Sequence, residues 1–542
     1  MLQTKSVFVL ALIPTLLAAQ SAPQTPPIHV ATHLVQIGVI VRENNGPVRD
    51  LAKEDFAVFD RGKPQTIAVF TAESAAVREP TISPPLPANT FSDLPQANAA
   101  GARSVTIVLL DNLNTLSGSA PQPYETTPYW FEDHALASAK QHLLEFLKDM
   151  GTNDRLAIYG LSDSLRVLCD FTCDRAQLLS VVSKYDTRAK TQRETVEAGQ
   201  FHLPNVAPEF NQAIDADVQR LAALNNGARA QVTLDALTAI ADHVAGIPGR
   251  KNLLWLTANL PFSGQAVARI LGRGGIAAYP LDARGLLPRS PSLSFEVEPM
   301  GLSQVSKALG MNNNPAQTDQ PIGIDAMEKM AEDTGGRAFV NTNDLTGAIR
   351  HAVEDSAVTY TLGFYIDSAA LDGKFHELKV QVRRTGLELR YPKGYFALKD
   401  EPATKDERHN TFLVAIKSPL DSAAISLEVR VDRPGQPTPN ALVLTGSVGI
   451  HDVHFTEAGK LLVGALDVTV LEQDQTGKIL HQTANRLNLR FTEEKYSVVL
   501  KSGITFRESV PPQNSATTLR VLVQDPATGS IGSVIIPFSQ LQ

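Results

Sequence analysis

At 542 residues the chain exceeds what a single core supports, and its length suggests three or four domains. With 43% hydrophobic and 20% charged residues it has the composition of a globular protein. A formal net charge of −8, without any Lys/Arg cluster interleaved with aromatics, argues against nucleic acid as a partner.

The first element is a segment for export. Lys5, the apolar run Val7–Ala19 and the polar, Pro-rich Ser21–Pro27 read together as a secretory signal peptide over residues 1–19, too short to span a bilayer. The mature chain is therefore expected in the periplasm or outside the cell. No later stretch reaches about 18 uninterrupted apolar residues, so no transmembrane segment is expected in it.

Residues 28–71 read as a small β module. His33–Val41 alternates apolar residues, Asn44-Asn45-Gly46 makes a turn, and Asp60-Arg61-Gly62-Lys63 makes a hairpin tip flanked by Phe56, Val58, Ile67 and Val69. Residues 72–102, rich in Ala, Pro and Ser without period, read as a linker. Residues 103–397 then alternate strands and helices before turning antiparallel. Ser104–Asp111 is a continuous apolar run ending in a carboxylate, as in a central parallel strand. A helix follows with Leu136, Ala139, Leu143, Leu147 and Met150 on one face. Next come strands over Asp154–Leu161 and Leu165–Leu168, a helix over Ala230–Ala245, and strands over Asn252–Thr257 and Ile276–Asp282. Met327–Ala331 is helical, Gly335-Gly336 stops it, Arg337–Val340 is a short strand, and Asp344–Val353 is the last helix.

Strands alternating with helices predict a doubly wound, mostly parallel α/β sheet. Ligands of such sheets bind at the carboxyl ends of the strands, which singles out Asp111, Thr257 and Asp282. Tyr360–Tyr365, Phe375–Val382 and Leu387–Tyr391 are antiparallel strands. Residues 405–542, with regularly spaced strands and turns such as Asp474–Gly477 and Asp525–Gly529, read as an Ig-like β-sandwich with no competing helical period.

Cys169 and Cys173 are the two cysteines of the chain. Outside the cytoplasm such a pair either closes a small disulfide across a turn or stays as two structural thiols. No second Cys pair or His-rich segment accompanies them, as a zinc site would require.

The Asp111 strand, Arg250–Thr257 and Thr334-Gly-Gly-Arg-Ala-Phe339 together resemble a von Willebrand factor type A domain. Asp55–Gln65, Tyr360–Phe364, Gly373–Leu378 and Gly394–Ala397 resemble the acidobacterial type-A-related family, over about residues 30–397. The resemblance implies recognition of a partner, commonly through a Mg²⁺ whose octahedron the partner's carboxylate completes. The family's metal loop reads Asp-x-Ser-x-Ser, with a Thr and an Asp from later loops. Here Asp111 and Thr115 match the ends of Asp111-Asn-Leu-Asn-Thr115. Leu113 replaces the middle hydroxyl, Asn114 offers an amide oxygen, and Thr233 is a loose match to the distant Thr. Ala258-Asn259 stands where the family has Asp-Gly, so an acidic ligand is missing. Two readings stay open: a working Mg²⁺ site on Asp111, Asn114, Thr115 and Thr233, or a relic loop in which Asp111 caps backbone amides. Asp282 either adds charge or caps a loop.

No Gly-x-Ser-x-Gly, His-Glu-x-x-His or phosphate-cradling glycine loop occurs, so no enzyme is expected, although loop residues can host a hydrolase on any fold. The loop from Leu113 to Glu132 carries Tyr129, Trp130 and Phe131 as candidate partner-binding residues. The sequence therefore predicts an exported binding or adhesion-type protein recognising a protein or cell-surface polymer. A structural spacer of an envelope assembly is the alternative.

Overall fold

In the computed structural model residues 32–43, 46–74, 86–94, 104–115, 130–150, 156–187, 227–247, 249–258, 260, 264–286, 323–355, 358–367, 370–397, 402–432 and 441–541 are described. The signal segment over 1–19 lies outside them. No helix among the described residues is long and apolar enough to cross a membrane.

The centre of the chain is an α/β unit. Its sheet runs in the order Ile276–Asp282, Arg250–Thr257, Ser104–Asp111, Leu156–Leu161, Leu165–Cys169. The first four strands are parallel and the last is antiparallel. The four parallel strands are buried and mostly apolar because both faces are covered. Val105, Ile107 and Leu109 face Leu237 and Ile240 of a helix over 227–243 and Val244 just beyond it, together with Val267 of Gly264–Arg273 and Met327 of Ile324–Thr334. Val108 and Leu110 face the other way, toward Leu143 and Leu147 of Trp130–Asp149, Leu178 of Arg175–Lys184 and Ile349 of Leu345–Glu354.

The stop at Gly335-Gly336 is sterically required. Gly335 sits at φ 75° in the left-handed region, where its N–H bonds the Ala331 and Glu332 carbonyls. A Cβ on Gly335 would lie 2.5 Å from the Pro392 nitrogen, and one on Gly336 would lie 1.8 Å from the Ala278 carbonyl oxygen. The strand expected over Arg337–Val340 reduces to a single parallel bridge between Phe339 and Leu281.

The small β module does not stand apart from the antiparallel strands after the α/β unit. Thr32–Glu43 pairs with Val358–Asp367, in register from Thr32↔Asp367 to Val39↔Tyr360, and then with Glu388–Arg390. A second sheet joins Phe56–Asp60 to Phe375–Val382. Ile37, Val39, Phe56, Val58, Tyr360, Leu362, Phe364 and Val380 share one core. The two flanks thus close one β unit around an inserted α/β unit, since either half alone would leave a strand edge unpaired. Residues 72–102 are likewise more than a linker. Val69–Ser74 pairs with Val358–Asp367, and Thr90–Ser92 pairs with Leu427–Asp432 of the C-terminal unit.

That C-terminal unit packs two antiparallel sheets face to face. Val429, Leu444 and Phe506 of one meet Leu466, Val470, Val521 and Ile536 of the other. It also holds two helices where the sequence predicted none, Lys405–Lys417 and Glu493–Ser502. Neither shows a buried stripe: Ala415 is the single buried residue of the first, and the second has none. Their ends hold them instead. Thr404 and Glu407 form a capping box, Thr492 caps the second helix, and Arg520 donates to the carbonyls of Ala415, Ile416 and Ser418 at the end of the first.

Cys169 and Cys173 are joined as a disulfide, with Cα atoms 6.1 Å apart. Cross-linking so short a loop removes about 2 kcal/mol of denatured-state entropy. Cys173→Ser should therefore unfold about 2 kcal/mol more readily in urea under oxidising conditions. Equal stability of variant and wild type would show that the link contributes nothing.

Candidate ligand edge of the parallel sheet

Strand order reverses between Ser104–Asp111 and Arg250–Thr257, so their carboxyl ends diverge into the crevice where open α/β sheets take ligands. Asp111 closes the first strand and Asn112–Thr115 forms one helical turn behind it. All five residues are buried, and Leu113 packs into the core beneath.

The structure brings three of the four sequence-predicted ligands into one hydrogen-bonded chain. The Asn114 amide nitrogen donates to Asp111 Oδ1 at 2.9 Å. Asn114 Nδ2 donates to Asp111 Oδ2 at 2.9 Å and to Thr233 Oγ1 at 3.0 Å. Thr233 Oγ1 donates in turn to the Arg229 carbonyl, at 2.9 Å. Thr115 lies buried in the same turn, and among the described residues its Oγ1 has no partner, nor do Asn112 Oδ1 and Asn114 Oδ1.

Two further donors complete the arrangement. Trp255 Nε1 donates to Asp111 Oδ2 at 2.9 Å, and the Thr257 hydroxyl also bonds this carboxylate. A motif search misses Trp255 because a Trp in a buried strand reads as core. The usable signal is that a fully buried indole N–H needs an acceptor. Burial raises the Asp111 pKa, and the bonds from Asn114, Trp255 and Thr257 oppose that rise. Burial lowers the Arg229 pKa while the Asp111 charge raises it, so a guanidinium stands within electrostatic reach of the carboxylate.

These donors bear directly on a cation. Mg²⁺ takes about six oxygens at near-ideal octahedral angles. Asp111 already accepts three N–H bonds and a hydroxyl. Asn114 was expected to offer its oxygen, but it turns its nitrogen to the site. The opposite amide flip would set Oδ1 against the carboxylate. With Arg229 nearby and no second carboxylate in the chain of bonds, the residues do not fit a Mg²⁺ held by Asp111. Among the described residues no group of three His, Cys, Asp or Glu side chains is placed to hold a metal.

Asp282 does not join Asp111. It is buried and takes Arg284 in a two-pronged pair, with Nε to Oδ1 and Nη2 to Oδ2 both at 2.9 Å. Ala258 is buried, and Asn259 lies outside the described residues. So does Tyr129. Trp130 and Phe131 are not in a loop, since Trp130 opens the Trp130–Asp149 helix, and their side chains lie outside what is described.

No protein-family model matches the chain, and no curated protein matches it. Among solved structures, the chain is similar to an aerotolerance-related membrane protein from Bacteroides fragilis carrying multiple mutations to serines. The identity is 15%, over 46% of this chain and 98% of that one, with a TM-score of 0.25. It is similar to the conserved hypothetical protein BatB from Bacteroides thetaiotaomicron at 13% identity, over 47% and 98%, with a TM-score of 0.25. A third likeness is to proximal thread matrix protein 1 from the mussel byssus, at 10% identity over 49% of each chain, with a TM-score of 0.26. Scores this low carry no argument about the fold or function of this chain.

Proposed function

We propose that the chain is an exported, non-enzymatic binding protein with a von Willebrand factor type A-like platform, which recognises a protein or cell-surface polymer without a metal at Asp111. The observation that carries the reading is the build of the carboxyl edge. A buried polar lock around Asp111 fixes the floor at the strand-order reversal, and exposed residues stand on the rim above it. Leu286, just beyond the Ile276–Asp282 strand, is 60% exposed, and Arg166 is exposed beside the end of Leu156–Leu161. A rigid floor under an exposed apolar and cationic rim suits a protein or polymer surface better than a small substrate.

One observation favours the spacer reading: Asp111, Asn112, Asn114 and Thr115 are all inaccessible. Co-sedimentation of the purified chain with sacculi and envelope proteins of its own source separates the two. Retention that survives EDTA and falls at least fivefold in Leu286→Glu with Arg166→Glu supports rim recognition. No retention, or retention indifferent to the rim, favours the spacer. Retention lost in EDTA would return the metal to the mechanism.

A further inference from the structure

A cavity of about 670 Å³ lies at the opposite, amino-terminal edge of the parallel sheet, where the β unit packs against the α/β unit. Its size falls within the range of small-molecule sites, which favour such junctions. We propose that it is a second binding site, for a small amphiphilic anion: a carboxylate or phosphate head on an apolar body.

The head position is set by Arg250 and Thr359. Arg250 opens the Arg250–Thr257 strand and is 6% exposed. Its Nε donates to Asn252 Oδ1 at 3.0 Å, and its Nη2 to the Tyr279 hydroxyl at 3.1 Å and the Gly335 carbonyl at 2.6 Å. All three acceptors are neutral. The nearby carboxylate, Asp355, is taken by Arg42 at 2.8 Å and Arg390 at 2.6 Å. The guanidinium charge is thus buried with no carboxylate in contact among the described residues, and Nη1 makes none of these bonds. Thr359, from the β unit, lines the same cavity. It is 2% exposed, and its buried Oγ1 has no partner among the described residues. Gly38 shows how close the two are: a Cβ there would stand 3.5 Å from Arg250 Nη1 and 3.7 Å from Thr359 Cγ2. With no side chain on Gly38, space remains beside the Arg250 Nη1 and the Thr359 methyl, on the residue whose hydroxyl is orphaned.

The remaining lining fits the rest of such a ligand. Lys251, Arg269 and Arg273 add positive charge. Asp333, the one carboxylate lining the cavity among the described residues, is engaged by Lys329. Val35, Ile37, Val69 and Phe396 supply apolar wall, with Arg269 stacked over the Phe396 ring at 4.8 Å. An anion here would satisfy a buried charge and an orphaned hydroxyl at once, both of which are costly to leave unpaired.

The test is calorimetric titration of the full chain with octanoate, octyl phosphate, octan-1-ol and inorganic phosphate. One of the two amphiphilic anions should bind saturably at one site, at least tenfold more tightly than octanol or inorganic phosphate. Whichever binds more tightly identifies the head. Thr359→Val keeps the shape and removes only an unpartnered hydroxyl, so it should fold normally and weaken binding about fivefold. Arg273→Glu, exposed at the rim, should weaken it by roughly three- to tenfold. No saturable heat from either anion, equal binding of octanol, or wild-type affinity in both variants would overturn the assignment.

Discussion

Asp111→Ala should lower the free energy of unfolding by about 3–5 kcal/mol, and by the same amount in excess Mg²⁺ as in EDTA. The size follows from what the substitution strands. Trp255 Nε1, the Asn114 backbone N–H and Asn114 Nδ2 would all lose an acceptor in a fully buried site. Leaving a buried donor unsatisfied costs about 1–3 kcal/mol, and removing the carboxylate also leaves Arg229 without its counter-charge. Asp111→Asn should recover less than half of the loss. An amide keeps one acceptor but turns a second donor toward Trp255 or Asn114. Urea unfolding, extrapolated linearly with and without the cation, measures each difference. A wild-type protein stabilised by Mg²⁺, with the increment gone in Asp111→Ala, would show that the carboxylate holds an ion after all. A cation-independent loss would assign Asp111 to the frame of the edge rather than to its chemistry.

How far such a site can be read from sequence depends on which interactions leave a local trace. The Ser104–Asp111 and Arg250–Thr257 strands are legible because burial on both faces writes apolar runs, Val105 to Leu110 broken only by Thr106 and Leu253 to Leu256 unbroken, and the carboxylate ending the first marks the edge. The tip at Asp60–Lys63 is legible from its turn residues, and Arg61 and Gly62 both adopt positive φ there, 47° and 78°. The pairing of Thr32–Glu43 with Val358–Asp367 leaves no such trace, since each strand alternates in the same way whatever its partner. The helices at Lys405–Lys417 and Glu493–Ser502 were illegible because they bury almost nothing, and Val498-Val499-Leu500 taken alone resembles strand. At the edge itself, Asp111 and Asn114 stand out by spacing. Whether Asn114 presents oxygen or nitrogen is decided by Asp111 and by Thr233, and Thr233, like the Trp255 that donates to Asp111, reaches the site only through the fold. The cavity beside Arg250 is less legible still, because Gly38 and Thr359 belong to a different unit from Arg250.

The protein should be several kcal/mol more stable at pH 5 than at pH 8. The cause lies where the helix over 227–243 meets the C-terminal unit. His243 is buried with Nδ1 2.8 Å from the Asp421 carbonyl and Nε2 3.3 Å from Asp170 Oδ2, so both ring nitrogens face acceptors, as an imidazolium requires. Burial alone would lower its pKa, but the Asp170 and Asp421 contacts outweigh it and the pKa is raised above 6.5. A raised base contributes stability below its unfolded value that is lost as pH climbs through the folded one. Burial also pushes the Asp421 and Asp242 carboxyls up to about 6, against the pull of His243 and Arg520 on the first and of Arg273 on the second. For acids raised from 3.8, stability falls as pH rises from about 4 to about 6, by on the order of 3 kcal/mol each at most. Buried Asp93, which lies within reach of the Asp421 charge, is raised and acts in the same direction. Asp170 acts oppositely: burial raises it, but its bonds from His243 and Tyr159 leave it lowered, so its contribution disappears only as pH falls below the usual carboxylate range. The stability maximum should therefore lie near pH 4–5. Asp421→Asn isolates the main group, because an amide Oδ1 can still accept the Ile535 N–H that Asp421 Oδ1 accepts at 2.7 Å. It should raise stability by about 2–3 kcal/mol at pH 8 and change it little at pH 4. A pH profile that peaks above 7, or a variant shifted equally at both pH values, would place the pH dependence outside this junction.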